Sequence, residues 1–71
     1  MISNEELLKL ISDNIRKSRN EKKMSQQELA DITNIAKSTV QRIESGKLNP
    51  TILMLNNISN SLDIKLIDLI S

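Results

Sequence analysis

The stretch SQQELADITNIAKSTVQRIESG, residues 25–46, decides how the chain folds. Ser25 precedes Glu28 by three residues, the spacing at which two side chains close on each other's backbone N–H groups as a capping box. Met24, just before it, can staple the entry of the chain. A helix over about 26–33 then turns Leu29 and Ala30 to one face. Asn34 follows, a residue type that tolerates the left-handed conformation of a tight turn. A second helix over about 37–44 turns Val40 and Ile43 inward, and Ile35 anchors the turn before it. Gly46, the only glycine, stands where a residue that ends a helix belongs. Neither helix is long enough to bury much alone. The pair must serve a bundle core or a surface that reads something.

The flanks carry the same periodicity. Upstream, Ser3 or Asn4 can cap a helix that runs to about Glu21, with Glu5 and Glu6 near its positive N-terminal end. Leu8, Ile11 and Ile15 recur there at helical spacing and Leu7 widens the stripe. Downstream, Asn49-Pro50-Thr51 breaks the chain and starts a fourth helix over about 51–61, with Ile52, Leu55, Ile58 and Leu62 at core spacing. A short fifth helix over about 65–70 carries Leu66, Ile67, Leu69 and Ile70. No alternating strand pattern, repeat or low-complexity segment is present. The expected fold class is all-α, a compact five-helix bundle forming one domain over residues 1–71.

Composition limits what such a bundle can do. A chain of 71 residues buries about 60% of its unfolded surface, a marginal core with no room for an enzyme pocket and its supporting shell. It contains no cysteine, which excludes disulfides and thiolate metal sites, and no histidine, the usual general base and commonest metal ligand. Ser38 and Thr39 have no neighbouring base to activate them as nucleophiles. No enzyme activity, cofactor or metal is expected. No apolar run approaches the roughly 20 residues of a membrane span, and Glu5 and Glu6 do not suit a signal-peptide start. A soluble cytoplasmic domain without a membrane partner is expected. The net charge of +1 hides an asymmetry: residues 1–15 carry −2, residues 16–47 carry +4 and residues 48–71 carry −1. A basic middle between acidic flanks steers an anionic partner.

The ordered set Ser25-Gln26-Gln27-Glu28-Leu29-Ala30, Ser38-Thr39-Val40, Arg42-Ile43-Glu44-Ser45-Gly46-Lys47 and Asn49-Pro50 resembles the Xre-type helix-turn-helix family, which includes the lambdoid phage repressors and Cro proteins. The resemblance covers about residues 15–70, and the set is far more specific than any one piece of it. It implies five helices, with the helix-turn-helix at 25–45 as a DNA-reading unit. The second helix would prop the third against a duplex. Three positions depart from the family pattern: Asn34 and Asp63 stand where glycine is usual, and Ala36 stands where a serine or threonine usually caps the third helix. The missing cap should cost about 1 kcal/mol.

With Val40 and Ile43 inward, Lys37, Ser38, Gln41 and Arg42 are left outward on the third helix. An α-helix fits the major groove, where Lys or Arg suits guanine, Gln suits adenine and Ser suits either. Matched by position, the resemblance makes Lys37, Ser38 and Gln41 base-reading residues and Arg42 a neighbouring base or phosphate contact. It gives Gln26 a phosphate contact at the start of the second helix, where free N–H groups also favour an anion. Gln27 is either a further contact of this kind or a solvated surface residue. Lys47 and Asn49 match a second phosphate-clamping segment, and Arg19 with Glu44 matches an ion pair between the first and third helices.

The resemblance places Ile64 and Leu69 inward, so Leu66, Ile67 and Ile70 are more apolar residues than one face of a short helix can bury, and Leu53 is a similar surplus on the fourth helix, where the family usually has a polar residue. Together they predict a homodimer through residues 62–71, because exposed apolar patches mark interfaces. A two-fold dimer would set two reading helices about one DNA turn (~34 Å) apart on an inverted-repeat operator. The expected function is therefore a sequence-specific regulator of transcription, a repressor, bound to double-stranded DNA. Two alternatives remain: a protein-interaction module of antitoxin or adaptor type, and the DNA-binding segment of a longer regulator.

Overall fold

The computed structural model describes residues 1–71. Five helices follow in chain order: α1 (Asn4–Glu21), α2 (Gln26–Thr33), α3 (Lys37–Glu44), α4 (Ile52–Ser61) and α5 (Leu66–Ile70). There is no strand. None of the helices is long and apolar enough to cross a membrane.

Local chemistry starts most of them. Ser3 and Glu6 close a reciprocal capping box on α1, and Ser25 and Glu28 close another on α2, with hydrogen bonds of 3.0–3.3 Å. Thr51 caps α4 by accepting the Met54 N–H at 3.1 Å. At α5 only half a box forms: Asp68 accepts the Lys65 N–H at 3.1 Å, because a lysine side chain has no acceptor to return. Nothing on its own chain caps the start of α3, where Ala36 stands.

The helices stop by one shared device. A left-handed residue ends each of the first four, namely Lys23, Asn34, Gly46 and Asp63, with φ of 54–73°. After α3, Gly46 N–H reaches the Ile43 carbonyl at 3.1 Å and Lys47 N–H reaches the Arg42 carbonyl at 2.9 Å, which is the Schellman pattern. Met24 onto Arg19, Ile35 onto Ala30 and Ile64 onto Ser59 repeat the longer bond after α1, α2 and α4. Only one of the four positions is glycine.

In the packed molecule α1 lies against α3 and α5, while α4 lies against α2 and α5. One core joins Ile11, Ile15, Leu29, Ala30, Val40, Ile43, Leu55, Ile58, Leu62 and Leu69. Two expectations change here. Ile52 is on the core stripe of α4 by spacing, yet it is 57% exposed. It occupies the first helical position, and the buried residue at that end is Pro50. The period continues past the point where a neighbouring helix can cover it. In α5, Leu66 and Ile70 are partly buried and pack against the core. That helix is wedged between α1 and α4, so more than one of its faces is covered. The exposed apolar surplus in this part is Ile67 (56%), Leu53 (72%) and Ile52.

Candidate nucleic-acid interface

The α2–α3 pair forms the helix-turn-helix, and its turn depends on Asn34 at φ 60°. Val40 and Ile43 are buried under α3, which leaves Lys37, Ser38, Gln41 and Arg42 exposed along the opposite side. The four outward residues thus share one solvent-facing surface. Lys47 and Asn49 are also exposed, in the segment that follows Gly46. Gln27 is exposed and tied along α2, its Nε2 donating to Asp31 Oδ1 at 2.8 Å.

Gln26 has a different arrangement. It is partly buried, and its Nε2 donates to Glu44 Oε1 at 3.1 Å instead of pointing away from the protein. Glu44 also receives Arg19, with Nε on Oε2 at 2.7 Å and Nη2 on Oε1 at 3.1 Å. The structure thereby brings together Arg19 from α1, Gln26 from α2 and Glu44 from α3. Both charged side chains are shielded, 13% exposed for Arg19 and 3% for Glu44. Arg19 further donates to the Met24 carbonyl at 2.8 Å, so the same guanidinium holds the turn into α2. A bidentate guanidinium–carboxylate pair of this kind fixes orientation as well as distance.

Electrostatically, this pairing leaves the surface basic. Glu44, the only acidic residue of α3, is neutralised internally by Arg19, while Lys37, Arg42 and Lys47 stay free of ion pairs. Sequence reasoning did not find three polar residues of α1 that bind other helices. Ser12 and Arg16 reach backbone carbonyls at the end of α3, and Asn14 Nδ2 reaches the Leu69 carbonyl at 3.1 Å and the Ser71 carbonyl at 3.3 Å. Ser12 and Asn14 fall on the apolar stripe of α1, four residues after Leu8 and Leu10, and that spacing could have marked them as facing the core; nothing in the local sequence marks Arg16.

Comparison with known proteins agrees with this geometry. The helix-turn-helix family model HTH_3 matches residues 15–69. The chain is similar to YqaE of Bacillus subtilis (strain 168), described as an uncharacterized HTH-type transcriptional regulator, with 39% identity over 57 residues. That match covers 80% of this chain and 49% of the relative, so the chain spans about half of the relative's length. Among solved structures, the restriction-modification controller protein C.AhdI from Aeromonas hydrophila superposes with a TM-score of 0.85 at 27% identity, covering 87% of this chain and 94% of that one. The controller C.Esp1396I, solved as a tetramer in complex with its natural 35-base-pair operator, gives a TM-score of 0.81 at 34% identity, covering 90% of this chain and 93% of that one. A match over most of the chain, on the residues that build the α2–α3 unit, makes this chain a member of the Cro/C1-type helix-turn-helix (HTH_3) family, a family of DNA-binding regulators and not of enzymes.

Proposed function

We propose that this protein is a sequence-specific transcriptional regulator that lays α3 in the major groove of double-stranded DNA. The observation that carries the proposal is the outward set Lys37, Ser38, Gln41 and Arg42, exposed on a helix whose other side is buried in the core. These side chains supply donors and acceptors suited to base edges. Lys47 and Asn49, exposed beyond the end of α3, would grip the phosphate backbone and set the register. Gln27 would contribute a phosphate contact at the start of α2, as would the amide N–H groups around Gln26. The side chain of Gln26 would act mainly by holding Glu44. C.Esp1396I, at 34% identity, binds its operator as a tetramer, which supports both DNA binding and self-association for this chain.

In this proposal the protein acts as a homodimer on an inverted repeat and as a repressor. Exposed Ile67 and Leu53 are the principal dimer contacts in this proposal, with the partly buried Leu66 and Ile70 at their edge. Selection from random duplexes followed by a fluorescence-anisotropy titration at several salt concentrations tests the function. The selected duplex should bind far more tightly than its scrambled form, with an affinity that falls steeply with salt as phosphate contacts release counterions. Equal binding of the two duplexes would sink the regulator proposal in favour of a protein-interaction module.

A further inference from the structure

The end of α3 receives side chains that the ion pair does not account for. The last carbonyls of any helix lack intrahelical partners and lie at the negative end of its dipole. On α3 two of them are met from α1. Ser12, 5% exposed, places Oγ 2.8 Å from the Ile43 carbonyl, across 31 positions of sequence, as a second donor beside the Gly46 N–H at 3.1 Å. The Glu44 carbonyl has no backbone N–H partner and accepts Arg16 Nη1 at 3.1 Å.

Arg16 is itself aimed. Its Nη2 pairs with Asp13, which also accepts Lys9 Nζ at 2.9 Å. The hydrogen bond from Lys9, followed by the attraction of Lys9 and Arg16, holds the Asp13 carboxyl below the usual aspartate range. The Ser12 hydroxyl has one proton and lies 2.8 Å from the Leu8 carbonyl of its own helix as well, so it shares that proton between α1 and α3.

We propose that Ser12 and Arg16 are positioning residues for base readout: they fix the rotation and depth of α3 by capping its Ile43 and Glu44 carbonyls from α1, with Asp13 orienting Arg16. The proposal rests on the reading of α3 as the DNA-contacting helix. The Arg19–Glu44 pair holds a side chain, which can swing about its own bonds. A carbonyl moves only with its helix. Gln41 and Arg42 lie within three residues of the two capped carbonyls, so a tilt at this end displaces them directly in the groove. Readout tolerates misplacement of only about half an ångström.

Arg16 is half-exposed and cationic, so a direct phosphate contact is the competing role for it. Ser12 is neutral and buried, and has no such role. The test therefore uses the full chain as wild type, Ser12→Ala, Arg16→Ala and Arg16→Lys. Anisotropy titrations on the selected and scrambled duplexes at several salt concentrations are paired with amide hydrogen exchange on the free protein and with urea unfolding to verify folding. Ser12→Ala and Arg16→Ala should each lower the preference for the selected duplex about fivefold, the worth of one hydrogen bond, with an unchanged salt slope. Arg16→Lys should recover part of the loss, because an ammonium can donate to the carbonyl but lacks the two separate nitrogens with which the guanidinium spans that carbonyl and Asp13. Amides of α3 and of Gly46 should exchange faster in both alanine variants, while those of α4 should not.

A uniform loss on both duplexes for Arg16→Ala, with a shallower salt slope, would make Arg16 a phosphate ligand and overturn the proposal. Unchanged preference in both alanine variants would overturn it too. If the wild type does not distinguish the duplexes, the function proposal fails, and exchange alone decides whether α1 restrains α3: faster exchange confined to α3 sustains that restraint and unchanged exchange removes it.

Discussion

The two ends of α3 are held by opposite means. At its C-terminal end, Ser12, Arg16 and Arg19 from α1 and Gln26 from α2 converge on the Ile43 and Glu44 carbonyls and on the Glu44 carboxylate. Gly46 completes that end with a relaxed left-handed residue. At its N-terminal end, Ala36 offers no side-chain cap, and Lys37 and Ser38 stand exposed. The contrast separates two tasks within one eight-residue helix. The end joined to the scaffold sets orientation, while the first turn keeps the Lys37 and Ser38 N–H groups free for solvent or a ligand.

Breaking the held end should produce the largest effect. Glu44→Ala removes the partner of a shielded Arg19 guanidinium and should destabilise the fold by about 3 kcal/mol, read as a lower urea midpoint at neutral pH. The double variant Arg19→Met, Glu44→Leu should recover most of that loss, since no unpaired charge then remains buried. A single variant that loses less than about 1 kcal/mol would mean that water already reaches the pair.

Adding a cap to the free end should sharpen the contrast from the other side. Ala36→Ser should stabilise by about 1 kcal/mol and slow amide exchange in the first turn of α3. No gain in either would indicate that packing of Val40 and Ile35 already holds this end.

Glycine at the other left-handed helix ends should give a smaller gain. Lys23→Gly should add about 0.5 kcal/mol, because relief of backbone strain exceeds the extra freedom given to the unfolded chain. Asn34→Gly should add less, since asparagine visits this conformation more readily. Thermal melts of the two variants side by side would check the order, and a larger gain at Asn34 would contradict it.

The smallest effect concerns pH. The Asp13 carboxyl is held low by Lys9 and Arg16, so its stabilisation is fully present above the unfolded aspartate value of about 3.9 and disappears as pH falls through the lower folded value. The stability difference between wild type and Asp13→Asn should therefore stay level near neutrality and shrink below about pH 4. A difference that instead changed between pH 6 and 8 would mean that another group controls the α1 network.

The legible parts of this molecule are those set by neighbours in sequence. Ser25 with Glu28, Asn34 and Gly46 mark the limits of α2 and α3, because caps and left-handed turns are decided within about four residues. Leu29, Ala30, Val40 and Ile43 give the inward faces by the same short-range periodicity, and the outward Lys37, Ser38, Gln41 and Arg42 follow by subtraction. Ile52 shows where the rule stops. Period alone does not reveal how far a neighbouring helix extends, so a residue on the stripe remains in solvent. Leu66 and Ile70 show the opposite error, since a five-residue helix wedged between two others is covered on more than one side.

By itself, then, the sequence determined five helices, their limits and the polar face of α3, because hydrogen bonds along one helix and across one turn need no distant partner. Only the tertiary structure decided which polar residues of α1 serve α3. Periodicity can turn Ser12 and Asn14 inward, but neither they nor Arg16 have a partner on another helix until packing brings the carbonyl ends of α3 and α5 beside them, 28 to 57 positions away in the chain. A carbonyl at a helix end presents the same chemistry whatever residue bears it, so no side-chain identity in α3 or α5 could have named its partner in advance.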